Sequence, residues 1–159
     1  MAIVAFLGLG HMGGPMSANL VAAGHTVRGF DPAPAASAAA EQHGVSIHAS
    51  AAETVAGADT VVTMLPHGDA VKGCYAEILP AASPDTLFID SSTISVADAR
   101  EVHALAGSHG FAQLDAPVSG GVTGAVAGRL AFMVGGEDAA VARATPVLEP
   151  MAAKIIHCG

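Results

Sequence analysis

The stretch Ile3-Val4-Ala5-Phe6-Leu7-Gly8-Leu9-Gly10-His11-Met12-Gly13-Gly14-Pro15-Met16 decides the fold. Ile3 to Leu7 is a short, continuously apolar run, as expected of a strand buried on both faces of a parallel sheet. Three glycines follow in the spacing G-x-G-x-x-G. Met16, Leu20 and Val21 then recur at helical spacing, and Gly24 is placed to end that helix. Strand, glycine turn and helix start in immediate succession suit the binding of a dinucleotide pyrophosphate. Gly8 permits a tight turn, Gly10 leaves room for backbone to approach phosphate, and Gly13 lets the helix lie close to the strand. The unpaired amides and the dipole of the helix N-terminus favour the anion. The whole loop, with Leu9, His11 and Met12 contributing alongside Gly8, Gly10 and Gly13, is the expected cofactor-binding segment.

Further along, strand and helix signals alternate. Strands are expected at 25–30, 45–48, 60–65, 86–90, 111–115, 130–134 and 154–157, and helices over 33–43, 51–57, 69–80, 96–107 and 137–151. Ser50 and Ser95 are the expected caps of two of these helices, with Glu53 completing a capping box. The alternation implies an α/β, Rossmann-type, doubly wound and mostly parallel sheet with helices on both faces. The 159 residues are sufficient for one such domain. Hydrophobic residues make up 52% and aromatics only 4%, so the core must be built from Ala, Val, Leu, Ile and Met.

Composition excludes several partners. The net charge is −8 without a basic cluster, which argues against nucleic acid and anionic membrane surfaces. No apolar run approaches the length of a membrane span, and the N-terminus lacks the basic start of a secretory signal. Cys74 and Cys158 form no paired motif, which fits a reducing cytoplasm. The histidines lack metal-ligand spacing, so no metal site is expected.

Asp31 ends the second strand, 23 residues after Gly8, where an acidic residue bonds the adenosine ribose hydroxyls. Its carboxylate would repel a 2′-phosphate, and Pro32, Ala33 and Pro34 supply no cation to offset it; NAD is therefore expected rather than NADP. Asp31 also reads as a simple turn starter before Pro32. Met64-Leu65-Pro66 and Ser91-Ser92-Thr93 end two strands on the side where ligands bind, and read equally well as a strand stop and a helix cap. Asp115 to Ala125, with Ser119, Gly120 and Gly121 inside it, reads by composition as a flexible loop whose amides can hold a carboxylate.

Taken together, these blocks resemble the N-terminal half of the β-hydroxyacid dehydrogenase family, within it most closely the 3-hydroxyisobutyrate branch. The resemblance is carried by Gly8 to Met16, Thr63 to Pro66, Phe88 to Ile94 and Asp115 to Gly121, extended by Gly124, Gly128, Leu130 and Met133 to Gly136. It spans nearly the whole chain. It implies NAD(P)-dependent oxidation of a small 3-hydroxy acid, of the kind that converts 3-hydroxyisobutyrate to methylmalonate semialdehyde in valine catabolism. It implies cofactor contacts from Met64, Leu65, Pro66 and Thr93, and a substrate carboxylate held by Ser119, Gly120 and Gly121. It further implies a catalytic lysine and an all-helical second half beyond Gly159, in a parent protein that forms homo-oligomers, so residues 1–159 alone are expected to be inactive. Lys72 is placed on a helix leading away from the crevice, and Lys154 at the opposite, amino edge of the sheet. A tartronate-semialdehyde or glyoxylate-type reductase, and a stand-alone nucleotide-binding module, are the alternatives.

Overall fold

The computed structural model describes residues 1–159. In chain order the elements are β1 (Ile3–Leu7), α1 (Gly13–Ala22), β2 (Thr26–Phe30), α2 (Pro34–Gln42), β3 (Ser46–Ile47), α3 (Ala51–Val55), β4 (Thr60–Thr63), α4 (Gly68–Ile78), β5 (Leu87–Asp90), α5 (Val96–Ser108), β6 (Gln113–Asp115), β7 (Val118–Ser119), α6 (Gly121–Ala127), β8 (Leu130–Val134), α7 (Asp138–Leu148) and β9 (Ala152–His157). Short 3-10 turns follow α4 and α7.

Six strands form one sheet in the order β3-β2-β1-β4-β5-β6, all parallel. Chain progression reverses between β1 and β4, the switch point at which open α/β sheets bind ligands. Both faces are covered. Val4 and Phe6 of β1 point into one apolar cluster with Met16, Leu20, Ile89 and Leu148. Ala5 and Leu7 point into the other, with Val71, Tyr75, Phe88 and Val102. This two-residue alternation within a wholly apolar strand is what a sheet with helices on both sides requires.

Two expectations are corrected. The alternating pattern implied one sheet, but β7, β8 and β9 form a second, three-stranded sheet, with β7 antiparallel and β9 parallel to β8. It joins β6 through a single bridge between Asp115 and Gly135. The stretch after Asp115, read as a flexible loop, instead folds into β7 and α6. Gly120 and Gly121 take φ values of +137° and +63°, which glycine adopts without a Cβ penalty, and they turn β7 directly into α6. Caps are where the chain placed them: Ser50 Oγ accepts the Glu53 amide and Ser95 Oγ that of Asp98, each at 3.1 Å. No helix is long and apolar enough to cross a membrane.

Candidate dinucleotide site

A cleft of about 620 Å³ opens at the carboxyl ends of β1, β2 and β4. Its walls include Gly8, Gly10, His11, Met12, Gly13, Asp31, Met64, Leu65 and Pro66, which the sequence scatters over nearly 60 positions. Each loop glycine has its own geometric reason. Gly8 has φ +95°, and a Cβ there would collide with the Met64 carbonyl; a Cβ on Gly13 would collide with the Gly8 carbonyl. A Cβ on Gly10 would meet nothing within 4 Å, because that position faces the open cleft. The amides of Gly10, His11 and Met12 donate to no other group of the chain. They remain free for an anion at the start of α1, whose first turn carries no acidic residue.

Asp31 anchors two backbone amides with its carboxylate. One carboxylate oxygen accepts the Ala33 amide at 2.8 Å, the turn-starting role. The other accepts the Leu9 amide at 2.8 Å and so fixes the glycine loop. A carboxylate has about four lone-pair sites, so capacity remains for ribose hydroxyls. Leu9 itself contributes backbone, for its side chain is buried in the core. Arg28, the nearest cation in sequence, donates to the Ala56 carbonyl and does not line the cleft.

The α4 wall was missed in the sequence. Ala70, Gly73, Cys74 and Glu77 line the cleft along one face of that helix, at a spacing of three, one and three residues. The expectation that α4 leads away from the crevice is therefore corrected. Lys72 lies on its other side, 2.9 Å from Asp98 and 3.4 Å from Glu101 of α5. The hydrogen bond to Asp98 pushes the Lys72 pKa upward and the Asp98 pKa downward, holding both charged. Lys154 is also corrected: it lies exposed within β9 of the small sheet, not at an edge of the main one. Burial pushes the Cys74 thiol up to about 12, helped by the charges of Glu77 and Asp90. Both cysteines are free. His67 caps α4: its Nδ1 accepts the Ala70 amide at 3.1 Å.

Thr93, Ser119, Gly120 and Gly121 do not line this cleft; they are exposed beyond it. Between them and the cleft is a buried polar cluster. Asp90 Oδ1 accepts from Thr63 Oγ1 at 2.8 Å and from the Ser92 amide at 3.2 Å. Burial raises the Asp90 pKa, opposed by these hydrogen bonds. Asp115, on the neighbouring strand, is pushed up to about 6 by burial and by the Asp90 charge, with His103 opposing. No three His, Cys, Asp or Glu side chains converge as metal ligands do.

A family profile described as the NAD binding domain of 6-phosphogluconate dehydrogenase matches residues 3–159. This chain belongs to that family. Its cofactor is NAD. It is an NAD-binding domain of the kind found in 3-hydroxyisobutyrate dehydrogenases. The probable 3-hydroxyisobutyrate dehydrogenase of Mycobacterium tuberculosis is 69% identical over 159 residues, covering all of this chain and 54% of that protein. An NAD-dependent L-serine dehydrogenase of Pseudomonas aeruginosa is 45% identical over 162 residues, with the same coverage of 54%. The solved structure of Mycobacterium tuberculosis 3-hydroxyisobutyrate dehydrogenase with L-serine superposes with a TM-score of 0.99 at 69% identity, over 100% of this chain and 55% of that one. The chain thus spans about half the length of the relatives it matches. An imine reductase of Streptomyces aurantiacus, 21% identical with a TM-score of 0.89, shares the fold.

Proposed function

We propose that residues 1–159 form the cofactor half of an NAD-dependent dehydrogenase that oxidises the primary alcohol of a small 3-hydroxy acid, 3-hydroxyisobutyrate first among them. The observation that carries this reading is the cleft, where free amides of the glycine loop and the Asp31 carboxylate meet at the switch point. NAD, when bound, supplies the hydride acceptor. The chain's own residues bind and orient. Gly10, His11 and Met12 offer amides to the pyrophosphate, Asp31 accepts from the adenosine ribose, and Met64, Leu65 and Pro66 flank the other nucleotide, with Thr93 beyond them. Ser119, Gly120 and Gly121, on the exposed edge of the small sheet, are assigned to the substrate carboxylate.

Proton removal from the alcohol is assigned to a lysine of the parent's helical half, which also accounts for homo-oligomer formation. The chain's two lysines support this: Lys72 is tied to Asp98 and Lys154 is exposed on β9, and neither lines the cleft. Valine catabolism and a cytoplasmic setting belong to the same reading; two free thiols support the latter.

L-serine is a second substrate reading. A relative named for L-serine is 45% identical, and a structure 69% identical was solved with that amino acid. Both compounds carry a primary alcohol β to a carboxylate and differ at the α-substituent. The test is calorimetric titration of the chain with NAD, followed by turnover assays with both compounds. NAD binding without turnover is expected. Turnover by these 159 residues overturns the assignment of the proton-accepting group to a further half.

A further inference from the structure

The turn that flanks the cleft is held from a neighbouring strand. The Leu65 amide donates to Ser92 Oγ at 2.8 Å. Ser92 is itself held through its amide, which donates to Asp90 Oδ1 at 3.2 Å. Thr63 Oγ1 binds that same oxygen at 2.8 Å. A hydroxyl has one proton and two lone pairs. One of those lone pairs accepts the Leu65 amide proton. Ser92 is only 1% exposed, so water does not compete for the position. On the other flank, the Met64 amide donates to the Leu7 carbonyl at 2.9 Å, and the Met64 carbonyl packs against Gly8. The turn is thus gripped between the glycine loop and Ser92.

We propose that Ser92 is a positioning residue for NAD: through the Leu65 amide it sets the Leu65–Pro66 turn against the nicotinamide half of the cofactor. Topology gives the direction. Asp31 ends β2 on one side of β1, whereas β4 and β5 lie on the other. A dinucleotide with its adenosine at Asp31 therefore places its second nucleotide over β4 and β5. The proposal rests on the assignment of Leu65–Pro66 to the cofactor made above. Ser92→Ala removes the acceptor of the Leu65 amide and frees the turn, while Ser92→Thr keeps the hydroxyl.

The experiment titrates NAD and ADP into the unmodified chain, S92A and S92T, with circular dichroism confirming that each is folded. S92A is expected to weaken NAD about fivefold and to leave ADP within about twofold, with S92T restoring NAD. Should S92A melt below the assay temperature, Ser92→Cys, a weaker acceptor of similar shape, takes its place. Equal losses for NAD and ADP, or no loss of NAD, overturn the role of Ser92. If the unmodified chain binds NAD no more tightly than ADP, the turn makes no nicotinamide contact, and the cofactor assignment of Leu65–Pro66 fails as well.

Discussion

Asp31 accepts the Leu9 amide at 2.8 Å across 22 residues, so the same carboxylate that faces the cleft also anchors the glycine loop. On the proposed role of Asp31 toward the adenosine ribose, cofactor choice and loop geometry are coupled at this position. Asp31→Ser is expected to weaken NAD, to raise the NADP-to-NAD affinity ratio, and to cost roughly 1–3 kcal/mol of stability as the Leu9 and Ala33 amides lose their acceptor. Paired titrations and thermal melts check this. An unchanged ratio would show that Asp31 acts on the loop alone.

The three loop glycines are expected to separate into two classes. Gly8→Ala and Gly13→Ala force a Cβ into a backbone carbonyl and should each destabilise the fold by about 1–3 kcal/mol or more. Gly10→Ala has open space, so its melting temperature should stay near that of the parent while NAD binding drops by roughly tenfold, because the methyl group occupies the phosphate's approach. A Gly10→Ala chain that binds NAD normally would place the pyrophosphate elsewhere.

The thiols give an independent probe of the cleft. Cys158 is exposed and should react quickly with a thiol reagent; Cys74, with its pKa pushed up to about 12, should react slowly. Because Cys74 lines the α4 wall, saturating NAD should slow it further. Mass spectrometry of the modified sites reads both rates. A Cys74 rate indifferent to NAD would mean that the dinucleotide does not lie along α4.

Asp115 should make stability fall with rising pH. Its pKa goes from 3.8 in the unfolded chain to about 6 in the fold, so the folded state holds more protons between those values. Stability is greatest below the lower value and is lost as pH passes through about 6. Asp115→Asn should remove this slope and gain about 1 kcal/mol above pH 7, after solvent screening of a half-buried group, with no gain near pH 4. Denaturant melts across that range measure it. An identical pH profile in the variant would contradict the shift.

Much of the architecture was legible in linear order. Val4 and Phe6 alternate with Ala5 and Leu7 in an unbroken apolar run, and that local signal sufficed to place β1 between two helical layers. Ser50 and Ser95 marked helix starts because capping acts over three residues. The second sheet was not legible. Leu130 to Val134 reads as a parallel strand wherever it goes, and its place in a second sheet is set by its pairing with β7 and β9, which no short run of residues encodes. The α4 wall was hidden for a similar reason. Ala70, Gly73, Cys74 and Glu77 bear no shared chemistry, and only the packing of α4 against α5, with Lys72 bound to Asp98, turns that face toward the cleft.

By itself, the chain determined that a strand, a glycine turn and a helix would meet at a loop of unpaired amides, because those preferences are settled within a few bonds of each residue. Tertiary structure alone decided which distant groups close around that loop. Asp31 reaching Leu9, Ser92 reaching Leu65 and the face that α4 presents all depend on strand order and helix packing, which are set by how the two apolar layers fill space and not by any short run of residues.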